Sequence, residues 1–315
     1  MNIVILDGLA LNPGDLDWEP IEALGTVVRY DHCSQDEVVS RLNEADIVVA
    51  NKVLFSADIL QQIAHVKAII LTATGYNNVD VDKAKELGIS VHNVPAYSTN
   101  SVVQLIFSFI LHFSRKVVAH NESVVAGKWE KSKTFCYWDT PQIELTGKRL
   151  GIIGFGNIGR ATAQLGIAFG MDVVVSTRTH RKTEGVTFVS QEELFATSDF
   201  IALACALTPQ TKKLINSETL GRMKKSAILI NTGRGQLVDE QALADALKHD
   251  IIAGAGVDVL EQEPPIKGSP LIGAKNCIVT PHIGWATLEA RQRCMRVTQE
   301  NIEGVITGRL INRVN

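Results

Sequence analysis

The feature that most constrains the fold is a glycine-rich hexapeptide in mid-chain, Gly154-Phe155-Gly156-Asn157-Ile158-Gly159. An apolar run at 150–153 precedes it, and a helix-compatible stretch at 160–165 follows. Strand, glycine loop and helix form the context that a dinucleotide-binding turn requires. Such glycines allow a tight turn, close approach of a pyrophosphate and close packing of helix on strand, and the helix N-terminus offers N–H groups to phosphate. A glycine turn that binds nothing is the alternative, and the flanking context favours the dinucleotide.

The position of this loop leaves room for a second α/β unit before it. Apolar runs separated by helix-compatible stretches indicate β-strands connected in a βαβ pattern with a parallel sheet; they lie at residues 2–7, 27–30, 46–51, 66–72 and 89–94. The stretch 287–307 has helical apolar spacing but is too short to form a domain. We predict two Rossmann-like or flavodoxin-like α/β domains, with a nucleotide-binding domain (99–287) inserted into a discontinuous substrate domain (1–98 and 288–315).

Residues 99–113 predict a helix with almost no polar face. Its apolar residues are Val102, Val103, Leu105, Ile106, Phe107, Phe109, Ile110, Leu111 and Phe113. A helix that is apolar all round must be covered on several sides. We expect it to pass between the two units and to continue into a subunit interface; a central helix in a monomer is the alternative.

Composition excludes several classes of function. The 315 residues are 45% hydrophobic and 21% charged with a net charge of −3, and no basic block is present. This argues against partners such as nucleic acid or an anionic membrane. Neither a signal-peptide pattern nor an apolar run of membrane-spanning length is found. Five cysteines without a CxxC pair are typical of reduced thiols, so we expect a cytoplasmic protein without a metal site.

Three predicted strands each end close to a side chain that could take part in catalysis. Arg234 follows the strand at 227–231, Glu263 follows the strand at 253–258, and His282 follows the strand at 277–280. In an open parallel sheet, ligands bind outside the carboxyl ends of the strands. Each residue alone could be a solvated arginine, a loop acid or a structural histidine, but together they predict one crevice.

The three side chains suit the reduction of a ketone. Addition of hydride requires a proton donor for the developing alkoxide, and histidine titrates in the appropriate pH range. A carboxylate held against the second ring nitrogen, here that of Glu263, favours the imidazolium form. Arginine can bind the carboxylate and keto oxygen of a 2-oxo acid with a planar fork that lysine lacks.

The glycine loop and segments 231–235, 256–264 and 280–284 resemble the signature segments of the D-isomer-specific 2-hydroxyacid dehydrogenases. The resemblance spans most of the chain. It implies a two-domain fold, a homodimer built mainly through the nucleotide-binding domains, and an active site in which Arg234 anchors the substrate, Glu263 pairs with His282, and His282 is the acid/base.

The resemblance implies further contacts. Thr74 and Gly75 resemble a loop whose backbone amides receive the substrate carboxylate, and Asp258 would meet the carboxamide side of the nicotinamide. Other expected cofactor contacts, besides the glycine loop, are Ala204, Cys205, Thr232, Gly233, His282 and Gly284. The run at 204–208 departs from the usual family pattern.

Segments 135–139 and 282–287 look most similar to the glycerate dehydrogenase (hydroxypyruvate reductase) branch. Trp138 is accordingly a predicted substrate contact, within one subunit or across a dimer, and a buried or interface anchor is the alternative. The expected reaction is reduction of a 2-oxo acid of the hydroxypyruvate or glyoxylate class to the D-2-hydroxy acid with NAD(P)H. The alternatives are a 3-phosphoglycerate or other D-2-hydroxyacid dehydrogenase using NAD, and a non-catalytic NAD(P)-sensing interaction protein.

The end of the second strand of the nucleotide-binding domain bears on the choice of cofactor. NAD-specific domains place an acidic residue there for the ribose hydroxyls. In this chain Asp172 stands at the start of that strand, and Ser176, Thr177, Arg178 and Arg181 lie at or after its end. Hydroxyl and guanidinium groups favour a 2′-phosphate. We therefore predict NADP as the cofactor; a solvated basic loop in an enzyme that uses NAD is the alternative.

Overall fold

A computed structural model of the protein describes residues 1–179 and 182–315. They form two compact units: Met1–Ser98 together with Trp285–Asn315, and Thr99–Gly284. The strands, numbered in chain order, are β1 Asn2–Ile5, β2 Thr26–Arg29, β3 Ile47–Ala50, β4 Ala68–Leu71, β5 Ser90–His92, β6 Arg149–Ile153, β7 Asp172–Ser176, β8 Val186–Phe188, β9 Phe200–Leu203, β10 Ile228–Asn231, β11 Gly254–Val257 and β12 Cys277–Val279.

Helices connect most of these strands. The α-helices are α1 Gly8–Leu11, α2 Glu19–Glu22, α3 Val38–Arg41, α4 Ala57–Gln62, α5 Val81–Glu86, α6 Thr99–Arg115, α7 Val117–Val125, α8 Asn157–Ala168, α9 Gln191–Thr197, α10 Ser217–Gly221, α11 Glu240–Lys248 and α12 Leu288–Ile306. Short 3₁₀ segments occur at Gln35–Glu37 and Gly235–Leu237. The α/β class expected from the sequence is confirmed, and the strand pairings within both sheets are parallel.

The first unit is built on a five-stranded sheet with the strand order β2-β1-β3-β4-β5. Every residue of β3 and β4 is buried, as expected for parallel strands covered on both faces. Helix α12 returns from the C-terminal part of the chain, and its Ala290, Cys294 and Ile302 pack in the same core cluster as Ile3 and Ile70. This unit is therefore discontinuous in sequence.

The second unit is built on a seven-stranded sheet with the order β12-β11-β10-β9-β6-β7-β8. Strand β6 lies between β7 and β9. The chain therefore extends the sheet from β6 in one direction through β7 and β8, and in the opposite direction through β9 to β12. Such a reversal is the switch point at which open α/β sheets bind ligands. The glycine-rich loop at 154–159 follows β6 directly.

Helix α6 covers one face of this second sheet. Gly256 allows the contact, because a Cβ there would stand 2.5 Å from Cγ of Phe109. The expectation that the helix has almost no polar face is wrong, since a stripe of exposed residues runs along it: Asn100, Gln104, Ser108, Leu111 and His112. The polar members Asn100, Gln104, Ser108 and His112 are spaced by four residues and therefore share one face.

Among the described residues, no single helix is long and apolar enough to cross a membrane; α6 and α7, bent by 51° at the break, meet the length and composition requirement only as a pair.

Candidate active site

The carboxyl ends of the strands in the second sheet bring together most of the predicted contact residues. Because the strands are parallel, the residues that follow them meet at one edge. Those residues are Gly154 after β6, Thr177 after β7, Ala204 after β9, Thr232 after β10, Asp258 after β11 and Thr280 after β12. The backbone joins the neighbours, since Gly154 N donates to Ser176 O at 2.9 Å and Ala204 N donates to Ile153 O at 2.8 Å.

Two glycines of the loop are required by packing within the protein. Gly154 has φ +95°, and a Cβ there would lie 2.6 Å from the carbonyl oxygen of Ala204 and 2.7 Å from Cα of Cys205. A Cβ at Gly159 would lie 2.3 Å from the carbonyl oxygen of Gly154. Helix α8 therefore packs directly on the turn, and the turn packs directly on the segment after β9.

Gly156 differs from the other two glycines. It is the N-cap of α8, and no heavy atom within 4 Å would meet a Cβ at this position. Open space in front of a helix N-terminus, where the first N–H groups lack intrahelical partners, suits a pyrophosphate. The glycine loop and the N-terminus of α8 therefore fit a dinucleotide.

Arg160 lies on the first turn of α8. Its Nη1 donates to Phe155 O at 3.1 Å, and its Nη2 donates to Asn157 Oδ1 at 2.6 Å. A cation is unfavourable at the positive end of a helix dipole, and these two contacts hold the Arg160 guanidinium beside the glycine loop.

The end of β7 presents hydroxyl and guanidinium groups. Ser176 and Thr177 are half-buried, and Arg178 is exposed. Asp172 pairs with Arg149 at 2.6 Å, with both residues at the starts of their strands, so its carboxylate lies at the opposite edge of the sheet. Arg181, the remaining candidate contact, lies outside the described residues.

His282 and Glu263 form a hydrogen-bonded pair. His282 Nδ1 donates to Glu263 Oε2 over 2.6 Å, and the other oxygen, Oε1, accepts from Leu260 N at 2.9 Å. The two side chains are 23% and 32% exposed. With Nδ1 engaged, Nε2 is left available, and no residue of the described chain hydrogen-bonds to it. The pair can therefore exchange a proton with a bound substrate through Nε2.

Asp258 holds the turn on which His282 stands. His282 has φ +55°, and its N–H donates to Asp258 O at 2.8 Å. Asp258 is 2% exposed, and its side chain accepts from Thr280 Oγ1 at 2.6 Å, Ile283 N at 2.9 Å and Gly284 N at 2.8 Å. Burial raises the pKa of the Asp258 carboxyl, and these three donors oppose that rise. Contact of Asp258 with the nicotinamide carboxamide remains a prediction.

Arg234 stands on a turn held by the buried side chain of Asn231. Asn231 Nδ2 donates to Arg234 O at 2.9 Å, and Asn231 Oδ1 accepts from Gly233 N at 3.1 Å. Arg234 Nη1 donates to Gly233 O at 2.8 Å, and no carboxylate in the described part of the chain forms an ion pair with it.

The next residue, Gly235, packs against the segment that leads to Glu263, since a Cβ there would lie 1.9 Å from the carbonyl carbon of Leu260.

Thr74 and Gly75 belong to the first unit and follow β4. Thr74 Oγ1 donates to Val94 O at 2.8 Å, and Asn93 Nδ2 donates to Thr74 O at 2.8 Å. Within the described ranges, the backbone N–H groups of both residues are without a hydrogen-bond acceptor. They are therefore available to a carboxylate, and their part in substrate binding stays a prediction.

Trp138 lies in the segment that follows α7, and the residue is 66% exposed. A buried anchor within one chain is therefore wrong, whereas a substrate contact and an interface contact both stay predictions. The neighbouring Asp139 forms an ion pair with Lys128.

Burial disfavours thiolate chemistry at several of the cysteines. The five cysteines are free, and burial raises the pKa of Cys33 and Cys205, and that of Cys277 to about 11. A raised pKa disfavours the nucleophilic thiolate. No group of three or more potential metal ligands occurs among residues 1–179 and 182–315.

Comparison with known proteins decides the family. Residues 107–284 match the family described as "D-isomer specific 2-hydroxyacid dehydrogenase, NAD binding domain". A hydroxypyruvate reductase of Blautia hydrogenotrophica is 45% identical over the whole of both chains. The chain belongs to the D-isomer-specific 2-hydroxyacid dehydrogenases.

One further relative and one solved structure are similar to the chain. A glycerate dehydrogenase of Methylorubrum extorquens is 43% identical to this dehydrogenase over 89% of the chain and 88% of the relative. The solved structure of an acyclic imino acid reductase with NADPH and D-Arg superimposes with a TM-score of 0.89 at 30% identity and covers both chains completely. The prediction of an NAD(P)-dependent D-2-hydroxyacid dehydrogenase is confirmed, which sets aside a non-catalytic protein.

Proposed function

We propose that this dehydrogenase reduces hydroxypyruvate, or a 2-oxo acid of similar size such as glyoxylate, to the D-2-hydroxy acid with His282 as the proton donor. The hydrogen bond of 2.6 Å between His282 and Glu263 carries the proposal, because it leaves Nε2 available at the sheet edge that also bears the glycine loop. The similarity to a hydroxypyruvate reductase over the full length supports the substrate class.

The nicotinamide cofactor, when bound, supplies the hydride for the keto carbon. His282 Nε2–H would then donate its proton to the developing alkoxide. The Glu263 carboxylate accepts Nδ1–H, which orients the ring and favours its protonated form. Arg234 would bind the substrate carboxylate through its planar fork, and Thr74 and Gly75 would offer backbone N–H groups to the same class of anion.

A substrate panel tests this function. Hydroxypyruvate, glyoxylate, 3-phosphohydroxypyruvate and a branched 2-oxo acid are each offered with NADPH and with NADH, and the configuration of the product is determined. We expect the highest kcat/KM with hydroxypyruvate or glyoxylate and a D-configured product from hydroxypyruvate. A preference for the phosphorylated or the branched acid would contradict the proposed substrate class.

We further propose NADP as the preferred cofactor. The support is the group of half-buried hydroxyls and the exposed Arg178 after β7, where NAD-specific domains place a carboxylate. Arg178→Ala should lower kcat/KM with NADPH by about tenfold and leave the value with NADH nearly unchanged, since only the 2′-phosphate pairs with the guanidinium. Arg296→Ala, which removes an exposed arginine of α12, is the control. A wild-type preference for NADH would contradict the proposal.

A homodimer is the assembly that we propose. Helix α7 and the segment after it expose Val117, Val125, Phe135 and Trp138 at 68%, 79%, 89% and 66%, and a cluster of exposed apolar side chains is typical of an interface. Light scattering coupled to size exclusion should give twice the chain mass, whereas a monomeric mass would contradict the assembly. The expected cytoplasmic location stays a prediction.

A further inference from the structure

The segment that carries Glu263 is fixed by two side chains from the stretch that follows Arg234. We propose that Glu240 and Gln236 are positioning residues, which set the place of the Glu263 carboxylate and through it the ring of His282. The inference rests on the proposed function of His282 and Glu263 as the acid–base pair. Neither Glu240 nor Gln236 belongs to the set of residues expected to contact substrate or cofactor.

Glu240 joins two points of the loop at 260–270. It is the first residue of α11. Its Oε1 accepts from Glu261 N at 2.6 Å, and its Oε2 accepts from Ser269 Oγ at 2.6 Å. A carboxylate is also favourable at a helix N-terminus, so the side chain is held at its base while both of its oxygens hold the loop.

Gln236 binds the backbone C=O of the same residue, Glu261. Its Nε2 donates to Glu261 O at 2.8 Å. The backbone N–H and the backbone C=O of Glu261 are thus both bound by side chains that follow β10. The close approach of Gly235 to Leu260 adds a backbone contact at the preceding residue. The turn after Arg234 and the loop before Glu263 are therefore joined at successive residues.

The effect reaches the histidine through a single carboxylate. Glu263 Oε1 accepts from Leu260 N at 2.9 Å, and Oε2 accepts from His282 Nδ1 at 2.6 Å. A displacement of the backbone at 260–261 moves the donor that orients Oε1 and consequently moves Oε2 away from the ring. Errors of about 1 Å in a catalytic group can cost ~100-fold in rate.

Three variants test the proposal, with Glu192→Ala as the matched control. Glu192 also stands in the first turn of a helix, and it pairs with Arg222 at a distance of 3.4 Å. Glu240→Ala should lower kcat by about tenfold or more. Reductive activity declines as the pH is raised, and this decline should occur at a lower pH in Glu240→Ala than in the wild type. Gln236→Ala should have a smaller effect in the same direction. Glu240→Gln should retain activity within about twofold, because its amide oxygen still accepts from Glu261 N and its amide N–H can donate to Ser269 Oγ.

A spectroscopic readout makes the result independent of turnover. The Nδ1 proton of His282, assigned in the NMR spectrum by its absence from His282→Ala, should broaden or shift upfield in Glu240→Ala and remain in place in Glu240→Gln and Glu192→Ala. The thermal unfolding midpoint and the cofactor dissociation constant are measured in parallel. They separate a displaced acid–base pair from a loss of folded protein.

Two outcomes would overturn the positioning role. One is an Nδ1 proton signal and a pH profile in Glu240→Ala that match those of the wild type. The other is a fall in kcat that is explained by the folded fraction alone. Full activity of His282→Ala would instead overturn the proposed function, and an inactive His282→Ala beside a normal Glu240→Ala would overturn the positioning role only.

Discussion

At the scale of single residues, hydrogen bonds to neighbouring residues hold the ionisable groups of the candidate site. The backbone of His282 is fixed by Asp258, Glu263 is oriented by the N–H of Leu260, and the turn that carries Arg234 is fixed by Asn231. The atoms to which we assign a function, His282 Nε2 and most of the Arg234 guanidinium, are left available to a ligand. Substitutions of His282 and Arg234 can therefore alter the reaction with little change in the packing of the protein.

Replacement of His282 by alanine tests its role as proton donor. His282→Ala should lower kcat by roughly 100-fold or more, which is the usual contribution of general acid–base catalysis, and should leave the cofactor dissociation constant within a few-fold. His249→Ala, at the exposed C-cap of α11, is the control in steady-state assays. Turnover close to that of the wild type would show that the proton comes from elsewhere.

Replacement of Glu263 by glutamine tests the pairing of the two side chains. The amide keeps the shape of the carboxylate but lacks its charge, so the protonated ring loses the stabilisation provided by an opposite charge. The reductive kcat/KM, which needs that proton, should then fall at a lower pH than in the wild type. Superimposable pH–rate profiles for the two proteins would exclude an ionic pairing.

Replacement of Arg234 by lysine tests substrate anchoring. The positive charge is kept, but the bidentate fork is lost. We expect KM for the 2-oxo acid to rise by about tenfold or more, since hydrogen bonds to a charged group contribute about 1.5–3 kcal/mol, while KM for the cofactor stays nearly constant. Kinetics identical to those of the wild type would identify Arg234 as a solvated loop residue.

At the scale of secondary-structure elements, three segments meet around the glycine loop. The loop after β6, the start of α8 and the residues after β9 approach so closely that a methyl group at Gly154 or Gly159 would collide with backbone atoms. The position of the helix N-terminus relative to the sheet is set by these contacts. A cofactor pyrophosphate at Gly156 would depend on the same spacing.

Gly159→Ala tests this dependence. The added Cβ would lie 2.3 Å from the Gly154 carbonyl oxygen, so α8 must move outward. We expect the free energy of unfolding to fall by about 1–3 kcal/mol, as is usual for overpacking, and the cofactor dissociation constant to rise by about tenfold. Gly221→Ala, where no atom lies within 4 Å of the new methyl group, should change neither quantity in fluorescence titration and denaturant unfolding.

At the scale of the whole molecule, the C-terminal segment completes the first unit by pairing with residues more than 200 positions earlier. Val314 N donates to Val91 O at 2.8 Å, and Asn315 Nδ2 donates to Ile89 O at 2.8 Å. His92 is fully buried at this junction. Its Nδ1 donates to Ile311 O at 2.6 Å, and its Nε2 lies 3.0 Å from Ser90 Oγ.

The stability of the first unit should consequently decrease in mild acid. Burial lowers the pKa of His92, with the hydrogen bond to Ile311 opposing and the charge of Arg313 adding to the shift. The unfolded chain takes up the proton near its ordinary pKa of about 6.5, and the folded chain does so only at a lower pH. The free energy that neutral His92 contributes to stability is therefore fully present above the unfolded-state pKa of about 6.5. It is lost as the pH falls through the lowered pKa of the folded state.

Thermal unfolding between about pH 7.5 and pH 5 measures this effect. His92→Gln should unfold at a lower temperature than the wild type at neutral pH, because two buried hydrogen bonds are disturbed, but its melting temperature should depend less on pH. His249→Gln, which alters an exposed histidine, should retain the wild-type dependence. Equal pH dependence in His92→Gln and in the wild type would show that His92 does not titrate on unfolding.

The sequence by itself determined the features that depend on residues close to one another in the chain. Alternation of apolar runs with turns located β1 to β5, and the glycine spacing located the turn between β6 and α8, because both patterns arise from neighbours in the chain. The positions of Arg234, Glu263 and His282 after predicted strands were sufficient to place them at one edge of a parallel sheet.

Only the tertiary structure decided how those residues are held. The insertion of β9 between β6 and β10 puts Ala204 against Gly154, and the folding back of the loop at 260–270 brings Glu261 to Glu240. The enclosure of Asp258 by three donors follows in the same way. The partners in these contacts lie up to tens of residues apart, and a hydrogen bond or close approach between them leaves no periodic signal in the chain.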